Sequence, residues 1–181
     1  MILQRTHSRQ SDAHLVRLVS EGNERAFREL LHRHQDAVYG FARRMLGDSQ
    51  EAEDVTQDTF LRLYRASSRY RPEASLRTFL FRIAKNICID YHRKKRPELM
   101  AQLPEIATEE TPLDLLESAI EAGRLEKAIE ALPANQRAAL LLRHGEQMRY
   151  NQIAEVMELS VSAVESLLVR ARRTLRRDLY T

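Results

Sequence analysis

Tyr150-Asn151-Gln152-Ile153-Ala154-Glu155-Val156-Met157-Glu158-Leu159-Ser160-Val161-Ser162-Ala163-Val164-Glu165-Ser166-Leu167-Leu168-Val169-Arg170-Ala171-Arg172-Arg173 carries the pattern of two short helices that cross closely. Such a crossing needs a small residue in the first helix, an apolar one after the turn and another inside the second; Ala154, Leu159 and Val164 stand at fitting offsets. Ser160 is placed to cap the second helix, because a side-chain oxygen there takes one of the N–H groups that the first turn leaves without a partner. This is a helix-turn-helix pattern. The second helix would set its N-terminal residues against base edges while Arg170, Arg172 and Arg173 address phosphates. Ile153, Val156, Met157, Leu159, Val164 and Leu168 would equally serve as the core of an ordinary helical hairpin, so the remainder of the chain has to decide.

That remainder is helical in character. Of 181 residues, 43% are hydrophobic, Gly and Pro number five each, and the period-two alternation of strands is absent, so an all-α chain is expected. The expected architecture is two small helical domains joined by a flexible acidic linker, the second containing the helix-turn-helix. The single cysteine, Cys88, excludes an intramolecular disulfide and suits a reducing compartment. No stretch reaches signal-peptide or membrane-spanning character, so a cytoplasmic protein is expected.

A net charge of +3 hides strong segregation. Residues 1–61 hold 8 basic and 10 acidic side chains, 62–96 hold 11 and 2, 97–130 hold 2 and 9, and 131–181 hold 8 and 5. The basic block is the electrostatic footprint expected of a polyphosphate-binding segment, since each neutralised phosphate releases counterions.

Caps and breakers divide the chain further. Ser11-Asp12 opens a short helix that Gly22 stops, and Asn23 caps a longer one ending at Gly47 with the stripe Ala26, Phe27, Leu30, Leu31, His34, Val38, Phe41, Ala42 and Met45. Asp48-Ser49 caps a third helix, buried through Ala52, Val55, Thr59 and Leu63. Its opposite side carries Asp54, Gln57, Asp58 and Leu61 at i, i+3, i+4 and i+7, a polar ridge ending in an exposed leucine that suggests a partner. A fourth helix from Ser75 to Lys95 points Leu76, Leu80, Ile83, Ala84 and Ile87 inward, while Phe79, Arg82, Asn86 and Arg93 align outside, with Arg69, Tyr70 and Arg71 in the loop before it. Cations interleaved with rings suit unpaired bases, which stack on aromatics while cations track the phosphates. Domain limits follow: a tail over 1–12, a domain over 13–96, an acidic linker over 97–115 and a second domain over 116–181. In that second domain one helix runs to Leu132 and another from Ala134 to His144, ended by Gly145.

Three motifs, in this order, resemble the extracytoplasmic-function (ECF) sigma factors, dissociable promoter-recognition subunits of bacterial RNA polymerase. They are Ala52-Glu53-Asp54-Val55-Thr56-Gln57-Asp58-Thr59-Phe60-Leu61; Leu76-Arg77-Thr78-Phe79-Leu80-Phe81-Arg82-Ile83-Ala84-Lys85-Asn86 with Asp90-Tyr91-His92-Arg93; and the helix-turn-helix through Arg170-Ala171-Arg172. The resemblance spans roughly residues 13 to 178 and implies roles. Asp54, Gln57, Asp58 and Leu61 would grip the clamp helices of the polymerase beta-prime subunit. Arg69, Tyr70, Arg71, Phe79, Arg82, Asn86 and Arg93 would recognise and melt the minus-ten element. Ser160, Ser162, Glu165, Ser166, Val169, Arg170 and Arg173 would meet the minus-thirty-five element. The linker would thread towards the polymerase active-site and RNA-exit path. An anti-sigma factor, membrane-anchored with a cytosolic segment, is a further implied partner and would hold the protein at the inner membrane. Overall likeness, carried by no single residue, points within the family towards cobalt- or nickel-resistance members.

Departures from the family pattern carry physical weight. Phe79 stands where the family usually has Trp, which loses an indole donor and keeps a stacking face. Glu158 stands in the turn where Gly is general, at a cost of about 1 kcal/mol if the backbone is left-handed there. Glu165 and Leu167 stand where basic residues are common, which weakens the phosphate grip of the recognition helix.

The six histidines show no paired-ligand spacing, and His32 and His34 face different ways on their helix. No metal, cofactor or small-molecule ligand is expected, and neither a glycine-rich phosphate loop nor a nucleophile elbow is present, so the chain reads as no enzyme by itself. Two further readings stay open at this level. A stand-alone helix-turn-helix repressor or activator would need a ligand pocket or dimer seam in residues 13–96. A protein-interaction bundle would have no DNA role.

Overall fold

The computed structural model describes residues 10–71, 75–95 and 122–180, which form eight α-helices and no strand. Most of the expected tail, the proposed linker over 97–115 and Arg96 lie outside the described residues.

Helix boundaries follow capping chemistry. In α1 (Asp12–Ser20) the Ser11 side chain accepts from the His14 N–H, and in α2 (Glu24–Leu46) Asn23 accepts from Arg25 and Ala26. Gly47, with φ of 77°, closes α2 in the left-handed region where a side chain would be strained. Asp48 Oδ1 accepts from the Glu51 N–H to open α3 (Ser49–Ala66), and a 3₁₀ turn, Ser67–Arg69, follows. Helix α4 spans Leu76–Lys95. The second half comprises α5 (Ala122–Ala131), α6 (Ala134–Leu140), a π-helical turn (Leu141–Gly145), α7 (Tyr150–Met157) and α8 (Val161–Tyr180).

Helix α2 is the axis of the first half and packs on α1, α3 and α4. Its Phe41 meets Phe81 of α4 edge-on, with centroids 5.4 Å apart and both rings buried. Each such side chain contributes roughly 1.5–3 kcal/mol from area removed from water. Arg33 donates to Asp12, Glu29 and the Gln10 carbonyl, and His34 Nε2 lies 2.8 Å from Asp12 Oδ2, which pins α1 to α2. Hydrogen bonds to Glu29 and Asp12 raise the Arg33 guanidinium pKa against the opposing effect of burial.

The apolar core does not stop at the end of the first half. One cluster runs from Leu15 through Phe41, Phe81 and Cys88 to Met148, Ile153, Val164 and Leu168, and α4 packs directly on α7. A smaller cluster, Ala128, Leu132, Leu140, Ala171, Leu175 and Leu179, joins α5, α6 and α8.

Three local expectations change. On α4, Leu76, Leu80, Ala84 and Ile87 are buried as expected and Ile83 is half-buried, but Phe81 and Lys85 are buried too. Neighbours cover α4 on two sides, so a stripe read for one neighbour understates its buried face. The helix expected from Ala134 to His144 ends in a π-helical turn, and the left-handed residue after it is Gln147 (φ 54°), not Gly145. Leu159, expected to pack inside the helix-turn-helix, is 42% exposed, while Ala154 and Val164 are buried. Its backbone N–H donates to the Ala154 carbonyl at 3.0 Å and so closes α7 beyond left-handed Glu158, while its side chain stays outside the core.

Candidate polymerase and nucleic-acid interfaces

On α3 the four ridge residues Asp54, Gln57, Asp58 and Leu61 are all exposed. Beneath them Ala52, Val55, Thr59, Phe60 and Leu63 are buried, and the Thr59 hydroxyl donates to the Val55 carbonyl at 2.7 Å, so an inward polar group is satisfied within the helix. Leu61 is 43% exposed, and Tyr64, one turn on, is 49% exposed with its ring edge-on to Phe27. Tyr64 extends the apolar end of the ridge, and its i+3 spacing from Leu61 was the signal available for it. Tyr91 of α4 sits close enough to this acidic surface that burial, then Asp54 and Asp58, raise its phenol pKa.

The basic aromatic surface is partly assembled. Tyr70 and Phe79 meet edge-on at 5.4 Å, and the Arg82 guanidinium lies 5.6 Å from the Phe79 ring centroid, an arrangement favoured by the ring's negative face. Burial, then the Asp12 carboxylate, raises the Tyr70 phenol pKa. Arg69 and Arg71 flank Tyr70 and are exposed; Asn86 is half-buried, and exposed Arg93 lies 3.9 Å from Asp90. Tyr70, Phe79 and Arg82 are thus brought into contact, whereas Arg93 sits over three helical turns beyond Phe79 along α4.

In the helix-turn-helix, Ser160 Oγ accepts from the Ala163 N–H at 3.2 Å and lies 3.0 Å from Ser162 Oγ, which opens α8. Ser162, Glu165, Ser166, Val169, Arg170 and Arg173 recur at helical spacing and all are exposed, as is Ser160, while Val164, Leu168 and Ala171 are buried. The recognition helix therefore offers one continuous outward face. Glu158 takes the left-handed conformation, φ 57° and ψ 43°.

Sequence reasoning missed a set of contacts between the two halves. Arg44 of α2 reaches Glu146 Oε1 at 3.0 Å, and Arg77 of α4 reaches Glu146 Oε2 at 2.8 Å and its carbonyl at 2.9 Å. Lys85 Nζ lies 3.9 Å from Glu158 Oε2; burial lowers its pKa, and the Glu158 carboxylate partly restores it. Buried Arg137 donates to the Met45 carbonyl, which also accepts from His92 Nε2 at 2.8 Å. Nothing in local spacing marks these partners. Among the described residues no three His, Cys, Asp or Glu side chains converge as a metal site, and no helix is long and apolar enough to cross a membrane.

Comparison with known proteins gives two family matches: Sigma-70 region 2 over residues 30–98 and Sigma-70, region 4 over residues 122–175. The RNA polymerase sigma-H factor of Pseudomonas aeruginosa is 33% identical over 180 residues, 93% of each chain. The ECF RNA polymerase sigma factor SigW of Bacillus subtilis is 28% identical over 176 residues, 91% of this chain and 94% of that one. The solved structure of CnrH in complex with the cytosolic domain of CnrY aligns with a TM-score of 0.71 at 29% identity, covering 93% of this chain and 96% of that one.

Proposed function

The chain belongs to the ECF sigma factors of bacterial RNA polymerase, and from that premise we propose how its residues divide the work of promoter recognition. As a sigma factor it binds core polymerase, recognises the minus-ten and minus-thirty-five elements and directs transcription initiation. RNA synthesis itself is the polymerase's chemistry.

The observation that carries the assignment of roles is the presence of three separate faces on one chain: an exposed acidic ridge, a half-buried aromatic pair with Arg82 against it and exposed Arg69, Arg71 and Arg93 around it, and an exposed recognition-helix face. Asp54, Gln57, Asp58 and Leu61, with Tyr64 beside them, dock on the beta-prime clamp helices. Tyr70, Phe79 and Arg82 receive unstacked bases of the minus-ten strand, and Arg69, Arg71, Asn86 and Arg93 hold its backbone and edges. Removing a base from the duplex costs a few kcal/mol, which ring stacking has to offset. The face from Ser160 to Arg173 reads the minus-thirty-five duplex. Glu165 within it makes this contact weak in isolation, so affinity comes from linking both contacts on one polymerase.

CnrH was solved with the cytosolic domain of CnrY. By analogy, a protein partner with a cytosolic segment restrains this chain by covering its polymerase-binding surfaces, where Leu61 and Tyr64 offer exposed apolar area. Tethering of that partner at the inner membrane belongs to the same proposal.

Reconstituted transcription is the test. Purified protein, bacterial core polymerase and fragments upstream of the protein's own gene should give specific initiation that neither component gives alone. Absence of any initiated promoter, together with tight operator-like duplex binding by the isolated protein, would replace this reading with that of a stand-alone repressor or activator.

A further inference from the structure

The recognition face of α8 changes chemistry along its length. Arg170 and Arg173 stand towards its middle, whereas the stretch from Val161 to Val169 holds no Lys or Arg and one acid, Glu165. At about 100° per residue Glu165 lies about 40° around the helix from Val169 and about 60° from Ser162, so it belongs to the same face. It is exposed, and among the described residues its carboxylate has neither an ion-pair nor a hydrogen-bond partner. Nor does it serve its own helix, because the positive end of the dipole acts over the first turn, which holds no acid, and Glu165 follows that turn. A free carboxylate set against duplex DNA meets one phosphate charge per about 1.7 Å of axis. It is repelled there unless a base donor receives it.

The groups beside it have the same polarity. Ser166 Oγ donates its hydrogen to the Ser162 carbonyl at 3.0 Å, so what it offers outward is lone pairs. A carboxylate and a hydroxyl oxygen therefore lie side by side at the front of the face, both seeking donors. In the major groove the base donors are the N4 amine of cytosine and the N6 amine of adenine. Adenine sets its N7 lone pair next to that amine, where it opposes the second carboxylate oxygen. Cytosine sets a C–H there.

We propose that Glu165 is a specificity-determining residue of the minus-thirty-five contact: its carboxylate accepts from the N4 amine of a cytosine, and so fixes which way round one G·C pair of the element lies. Selectivity arises because the negative charge weakens binding to every duplex and one base relieves it. The contact is weak in total and sharp at one position. This inference rests on the sigma-factor reading, which places the face on promoter duplex.

The test is reconstituted transcription by core polymerase and the full chain from a promoter library randomised over the minus-thirty-five element, with initiated templates sequenced. The wild type should prefer cytosine at one position by roughly five- to a hundredfold, the discrimination of one base contact. Glu165→Ala should level the four bases there and leave the other positions as they were. Glu165→Arg should move the preference to guanine, whose O6 and N7 a guanidinium reads. Glu165→Gln, with an amide that can accept from and donate to adenine, should admit adenine beside cytosine. A minus-thirty-five preference that Glu165→Ala leaves intact, or weakens equally at every position, would overturn the proposal while initiation itself keeps the sigma-factor reading standing. Silence of every template would remove that reading and this inference together.

Discussion

Tyr70 meets Phe79 edge-on, with ring centroids 5.4 Å apart and planes at 72°, although the two residues come from a loop and from a helix. The contact fixes two stacking surfaces side by side, with the Arg82 cation against one of them.

Replacing either ring with alanine should therefore impair strand opening more than closed binding. Stacking is worth about 1–3 kcal/mol per base, so Tyr70→Ala or Phe79→Ala is expected to lower open-complex formation between about fivefold and a hundredfold. Permanganate reactivity of minus-ten thymines reads this directly. Phe79→Trp should retain opening, because it keeps the stacking face and adds a donor. Equal opening by the alanine variants would remove these rings from the proposed site.

The acidic ridge makes a different prediction, since its carboxylates are exposed and contribute little to the fold. Asp54→Ala with Asp58→Ala should leave thermal stability within about 0.5 kcal/mol and weaken association with core polymerase by roughly ten- to a hundredfold. A gel-shift or interferometry titration with core enzyme measures it. Unchanged association would shift the docking surface elsewhere.

For the recognition helix, charge sets the expectation. Arg170→Ala with Arg173→Ala should reduce binding to all duplex sequences alike and flatten the salt dependence by about two in log–log slope, one phosphate contact apiece. Glu165→Gln removes a negative charge from the same face and should strengthen duplex binding. A change confined to one sequence would mean that the arginines read bases instead.

Cys88 predicts a pH dependence. Burial pushes its thiol from 9.0 up to about 12, so above pH 9 the unfolded chain releases a proton that the folded chain keeps. Its contribution is intact below pH 9 and declines as pH rises towards 12, by roughly 2 kcal/mol at pH 10.5. Urea unfolding at pH 8 and 10.5 should show a steeper fall for the wild type than for Cys88→Ala. Parallel falls in the two proteins would contradict this account.

Much of this molecule could be read along the chain because its determinants are local. Asn23, Asp48 and Ser160 cap the helices they were expected to cap, since a cap acts over three residues. The outward faces of α3 and α8 follow from helical spacing alone. What escaped was chemistry that joins distant positions. Arg44 and Glu146 are 102 residues apart, and Arg137 and Met45 are 92 apart. In the sequence Arg77 and Lys85 are two more cations in a basic block. Only the packing of α4 against α7 separates them from the cations on the opposite side. Glu158 was legible as a residue at odds with its turn, but its facing Lys85 was not.

The carbonyl of Met45 has a history within each molecule. It accepts from His92 and from Arg137, and the second of these donors leaves the ribosome 92 residues after it. Arg137 also follows Lys95, the last residue of α4, by 42 residues, so at about 5–20 residues per second there is an interval of about 2–8 s in which the newborn first half must fold with its partner surface on α4 bare. During translation the protein is its own unfinished complex, and a chaperone or an early-binding partner would find its best opportunity in those seconds.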